Sequence, residues 1–215
     1  MPLGQYAEQG ILGLYFGGVA FATAGTLYCG LVLQLGQLST ALTAGATVST
    51  LACASVTTGY QVNSGDVILV GTGSTTQAFN TSTTGAAGQT SLTITGSPIA
   101  NATYAIGTPF IRCNAFLAAQ EPTIGTGAYA RVSITNSTAN WNTSSGLDPA
   151  TVTNKTAITF PTATASWGTV AGFLISDSLS STTNMWAFGM LNASQVISSG
   201  NTPSFAAAAL TVSLV

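Results

Sequence analysis

Alternation of apolar and polar residues over short stretches dominates this chain, and only its first part departs from it. Residues 3–16 place Leu3, Tyr6, Gly10, Ile11 and Leu14 on helical spacing with Gly17-Gly18 as the stop, which predicts one amino-terminal helix. The run 26–33, Thr-Leu-Tyr-Cys-Gly-Leu-Val-Leu, is rich in strand formers and apolar enough to predict a strand buried on both faces. Strand patterns then recur at 66–70, 76–79, 91–95, 128–135, 156–160, 168–175, 185–191 and 210–214. Gly, Asn and Pro punctuate them, so the links are short turns of the kind that join antiparallel neighbours. The pattern predicts an all-β protein, a β-sandwich or jelly-roll-like domain with a short N-terminal helix.

Composition sharpens this picture. Only 4% of the 215 residues are charged, against about a quarter in an ordinary soluble domain. The charges are Glu8, Asp66, Glu121, Asp148 and Asp177 against Arg112, Arg131 and Lys155, a net charge of -2, and there is no histidine. The surface must therefore be largely Thr, Ser, Asn, Gln and backbone. Threonine suits an exposed pleated position because its branched Cβ fits a strand and its hydroxyl faces water. Weak self-repulsion favours a chain packed among other subunits. Three scattered cations make no basic patch for phosphates, so nucleic acid is not an expected partner.

The uncharged run from Gly10 to Gly36 is long enough to span a bilayer. Its interruption at Gly17-Gly18, a turn-like stretch at residues 23–26 and the lack of flanking Lys or Arg argue against a membrane span. Glu8 stands where a signal peptide would carry its basic residues, so no cleaved leader and no membrane partner are expected. The Asn-x-Ser/Thr triplets at Asn80, Asn101, Asn136, Asn142, Asn154 and Asn192 follow from the abundance of Ser and Thr. Cys29, Cys53 and Cys113 lack metal-site spacing and read as small apolar residues, with a Cys53–Cys113 or Cys29–Cys113 bridge as the alternative.

Candidate chemistry is thin. Trp167 and Trp186 lie at or within strands and read as core, whereas Trp141, between Asn140 and Asn142, reads as the aromatic of a polar surface loop and the better sugar-stacking candidate. Asp148, before Pro149, and Asp177, before Ser178, sit in turn contexts rather than as a glycosidase pair. Asn63-Ser64-Gly65-Asp66 supplies too few oxygens for calcium. Arg131 is expected to pair with a carboxylate or to cap carbonyls. No residue is nominated as catalytic, cofactor-binding or metal-ligating; no cofactor is expected, and the chain is expected not to be an enzyme.

The carboxyl-terminal residues carry a resemblance. Phe160-Pro161, Trp167-Gly168-Thr169-Val170, the aromatic strand from Trp186 to Leu191, Gly200-Asn201-Thr202-Pro203-Ser204-Phe205 and Leu210-Thr211-Val212 resemble the pattern of small tailed-bacteriophage virion proteins labelled tail fibre proteins. Gly127-Ala128-Tyr129-Ala130-Arg131-Val132 and the opening through Gly17-Gly18 and residues 26–31 resemble the same family. In that family a short loop joins the first strand to the Tyr-Ala-Arg strand, whereas here residues 34–110 intervene. The expected organisation is thus a discontinuous domain, 1–33 plus 111–215, with an inserted small β module, 34–110.

The resemblance implies a structural virion protein of a tailed bacteriophage. Uncharged, Thr-rich faces suit many weak contacts repeated around a lattice, so a capsid decoration or cement protein on the head surface is the first expectation. A short tail fibre or baseplate component engaged in host attachment is the alternative, and a glycan-degrading enzyme a remote one. Expected partners are other virion proteins, the major capsid protein on the head or tail proteins on the tail, and further copies of the chain in a homo-oligomer such as a trimer.

Overall fold

A computed structural model describes residues 24–54, 62–73, 75–82, 84, 88–113, 120–143, 151–180 and 185–213. The helix expected over 3–16 lies outside them. The described residues form β1 (Thr26–Leu33), β2 (Gly36–Gln37), β3 (Thr50–Ala52), β4 (Val67–Thr72), β5 (Thr75–Asn80), β6 (Ser91–Thr93), β7 (Pro109–Cys113) and β8 (Val132–Thr135). They continue with β9 (Trp141–Thr143), β10 (Thr151–Asn154), β11 (Ile158–Thr159), β12 (Gly168–Ser176), β13 (Met185–Ile197), β14 (Ser204–Phe205) and β15 (Thr211–Ser213). The all-β architecture expected from the alternation is the one found, and its paired strands are antiparallel.

The central sheet has the order β13-β12-β1-β8. β1 is its pivot, with Leu31 opposite Phe173 on β12 and Cys29 opposite both Ile175 on β12 and Val132 on β8. From Val170 to Ser176 every residue of β12 is buried. That pattern arises because the sheet is covered on both faces, the condition under which a strand reads as a continuous apolar run.

On one face, Leu27, Cys29, Leu31, Phe173 and Ile175 meet Tyr129, Phe160 and Trp167. These aromatics pack by their edges and offset faces: the Tyr129 and Trp167 rings lie 5.1 Å apart at 76°, and Phe173 and Phe205 lie 5.7 Å apart at 70°. Two small sheets form this covering layer, β15-β10-β9 and β11-β14. Asn154 ties them together while buried. Its side-chain N–H groups donate to the carbonyls of Thr156 and Ala206, and its Oδ1 accepts from the Leu210 N–H.

On the opposite face lies the sheet β2-β7-β4-β5. Leu69 and Ile111 from it join Val32, Ala171, Leu174, Phe188 and Met190 from the central sheet in one cluster. Gly172 allows this approach: a Cβ there would stand 2.6 Å from Ile111 Cδ1 and 2.7 Å from the Gly189 carbonyl oxygen. A further cluster, including Leu35, Leu51, Ile68, Phe79, Leu92 and Phe110, is built wholly from residues 35–110.

The second half of the apolar run 10–36 is thus β1 and β2, and no helix among the described residues is long and apolar enough to cross a membrane. Cys29 and Cys53 are buried free thiols, so neither of the alternative bridges to Cys113 is formed.

Replacing residues 35–110 by a short Gly/Ser linker tests how this stretch relates to the rest. Loop closure alone costs little, but the excision uncovers Leu174, Phe188 and Met190. The expected product keeps its strand circular dichroism yet binds a hydrophobic dye and self-associates. A monomeric, dye-silent product would show that the shared cluster does not hold the two faces together.

Candidate functional site

Where the central sheet meets β15-β10-β9, the two do not close on each other, and a groove of about 400 Å³ remains. Leu27 of β1 and Ile175 of β12 line it from one side, Val152 of β10 and Val212 of β15 from the other. Two indoles, Trp141 at the start of β9 and Trp186 in β13, also line it. The volume falls in the range of roughly 300–1,000 Å³ usual for small-molecule sites.

A polar lip, Asn136, Ser137 and Thr138, follows β8. Its backbone is fixed from several sides. Asn136 donates from its N–H to the Gly25 carbonyl (2.9 Å) and from Nδ2 to the Ala24 carbonyl (3.0 Å). The Ser137 carbonyl accepts the N–H groups of Asn140 and Trp141, and Lys155 Nζ donates to the Thr138 carbonyl at 2.6 Å. The Ser137 and Thr138 hydroxyls make no hydrogen bond among the described residues and so remain available.

Trp141 corrects an expectation. It is 7% exposed and belongs to the main aromatic core, not to a surface loop. The Asn-Trp-Asn triplet is a strand: Trp141 pairs with Asn154 and Asn142 with Thr153, so the indole points inward while Asn142 is exposed. Its Nε1 has no hydrogen-bond partner among the described residues, a state that costs about 1–3 kcal/mol for a buried donor. Trp186, read as core, packs against the same cluster but stays partly exposed. Trp167 is core as expected, its Nε1 donating to the Gly127 carbonyl at 2.7 Å.

A second, smaller opening of about 340 Å³ lies at the other end of this layer, with Phe160, Leu191, Gln195 and Phe205 among its lining.

Most of the charge in the described residues is spent on holding the fold. Arg131 and Glu121 form a buried pair in which Nε donates to Oε2 at 2.9 Å and Nη2 makes a shorter contact, while Nη1 donates to the Ser178 carbonyl at 2.6 Å. Arg131 therefore both pairs with a carboxylate and caps a carbonyl. Tyr129 donates its hydroxyl proton to Glu121 Oε1 at 2.6 Å and accepts the Leu31 N–H at 2.9 Å, which locks β1 to the covering layer. Glycine at position 30 is required here, because a Cβ would run into the Glu121 carboxylate.

Asp66 is likewise committed. Its Oδ2 accepts from Arg112 Nε at 2.5 Å and from the Asn63 N–H at 2.7 Å, so the Asn63–Asp66 turn is a structural ion-pair site. Asp177 is partly buried beyond the end of β12, and Asp148 lies outside the described residues. No three His, Cys, Asp or Glu side chains gather as metal ligands among the described residues. Sequence reasoning missed Lys155 and the Ser137-Thr138 lip; the one available signal was that Lys155 is the chain's single lysine.

A family model described as Podophage GP4 fiber I protein gp80 matches residues 113–213. The matched stretch begins at the end of β7 and holds both tryptophans of the groove, its lip and Lys155. It takes in Tyr129-Ala-Arg131 just before β8 and nearly all of the carboxyl-terminal run, while β1 lies outside it. This likeness supports a fibre-like structural protein of a phage virion and favours the tail over the head shell. No curated protein matches the chain.

Two outcomes are expected in solution. Trp141→Ala and Trp167→Ala each remove a buried indole and should cost about 3–5 kcal/mol in denaturant melts; a cost below about 1 kcal/mol for Trp141 would return it to the surface. The second concerns alkali. Burial, reinforced by the Glu121 carboxylate, pushes the Cys29 thiol and the Tyr129 phenol above their ordinary values of 9.0 and 10.0. The folded state then holds these protons more tightly than the unfolded one, so stability is intact below about pH 9 and falls as pH rises beyond it. Urea melts at rising pH should show that decline, and Tyr129→Phe should flatten its upper part.

Proposed function

We infer that the chain is a non-enzymatic component of a phage tail, a short fibre or baseplate element at the host-facing side, assembled with other tail proteins and with further copies of itself. The observation that carries this reading is the match to a phage fibre protein over residues 113–213, which contains both indoles of the groove. The surface supports it too, since a nearly uncharged exterior suits contact with neighbouring subunits rather than dispersal in solution. Head decoration, the first expectation from composition, has the Thr-rich surface in its favour but no support from the family match.

The two locations predict opposite particle phenotypes. Particles lacking a tail component keep sturdy heads that survive heating and osmotic shock but fail to adsorb to cells. Loss of a shell protein loosens the head, because contacts between shell subunits stabilise it by mass action, and leaves adsorption intact. Immunogold labelling should decorate the tail, and densitometry should give the few copies of a closed ring rather than the order of hundreds that follow a shell lattice. Gold on the head with lattice-scale copy number would overturn the tail reading.

A further inference from the structure

The geometry points to a sugar-binding site in the groove between Trp141 and Trp186, selective for a hexopyranose unit that carries a carboxylate, as in an acidic polysaccharide of a bacterial surface. This deepens the tail reading and rests on it. Three observations converge. The groove has ligand-sized volume and indole walls, and a pyranose ring, whose C–H groups form an apolar face, packs on aromatic surface of that kind. Its lip carries the uncommitted hydroxyls of Ser137 and Thr138, held on a backbone fixed by Asn136, Asn140 and Lys155. Such hydroxyls both donate and accept, as sugar hydroxyls require.

Charge supplies the selectivity. Arg112 is paired with Asp66 and Arg131 with Glu121, whereas Lys155 has no carboxylate partner among the described residues. Its ammonium is anchored at the lip by one bond, to the Thr138 carbonyl, and an ammonium has three donors to give. A lone cation beside an aromatic groove in a chain otherwise almost free of charge favours a single negative group on the ligand over a neutral one.

The test uses the whole chain and two probes that differ at one carbon, methyl β-D-glucuronide and methyl β-D-glucoside. Tryptophan emission reads binding directly, since two of the three indoles line the groove, and saturation-transfer NMR reads which ring protons touch the protein. The glucuronide should bind about tenfold or more tightly than the glucoside, and added salt should erode the difference. Lys155→Gln, at an exposed side chain, should remove that preference, so that the glucuronide binds no more tightly than the glucoside. Trp186→Ala, checked for folding by circular dichroism, should weaken both probes. Absence of binding to either probe, equal affinity for both, or a preference that survives Lys155→Gln would each overturn the site. Failure of the site and failure of the tail reading stay distinct, because immunogold locates the protein on the particle whatever the probes do.

Discussion

Everything in this fold depends on β1 lying between β12 and β8 with apolar residues on both of its faces. A strand so placed has no solvent side, so the chain must supply two covering layers. One comes from the carboxyl-terminal aromatics around Tyr129, Phe160 and Trp167, the other from β4 and β7. Because successive side chains alternate, a slip of one residue would push Leu31 and Val32 into each other's layers and lose both contacts at once. The Tyr129 hydroxyl guards against such a slip, since it accepts the N–H of Leu31 and of no neighbour.

The same constraint explains where the charges went. Among the described residues, Glu121 and Arg131 are buried together, and the glycine at position 30 leaves room for the carboxylate beside β1. Removing one partner of such a pair would strand the other and cost about 3–5 kcal/mol, although the intact pair adds little net stability. Its value lies in direction. Arg131 reaches from its pair to the Ser178 carbonyl, so one side chain fixes both the segment around Glu121 and the turn after β12. Asp66 and Arg112 do the same between β4 and β7.

The strands legible in the sequence are β1, β4, β5, β6, β8, β11, β12, β15 and the first half of β13, where alternation or an apolar run shows between turn residues. β7 was missed because Pro109 opens it and Arg112 interrupts its apolar run, and that arginine lies half-buried because Asp66 pairs with it. β9 was missed because asparagine normally marks a turn, so Asn140-Trp141-Asn142 read as loop when Trp141 and Asn142 open a strand. The groove as a shape was not legible, although Trp141, one of its walls, was singled out for sugar stacking. It arises where two separate sheets fail to close, and the residues that meet there, Leu27, Trp141, Ile175 and Val212, are far apart along the chain.

A surface with so few charges also sets how this protein can find a partner. Long-range steering needs a field, and a net charge of -2 spread over 215 residues provides little. Encounter is then slow and contact short-ranged, through shape, hydroxyls, carbonyls and the occasional aromatic. Single contacts of that kind are weak, and strength must come from several copies engaging one surface together, where effective concentration multiplies modest affinities. Repetition is the condition that a fibre or baseplate meets by construction. A near-neutral exterior is therefore suited to repetition: the surface that lets copies pack without repulsion is also the one that makes a lone copy a poor binder.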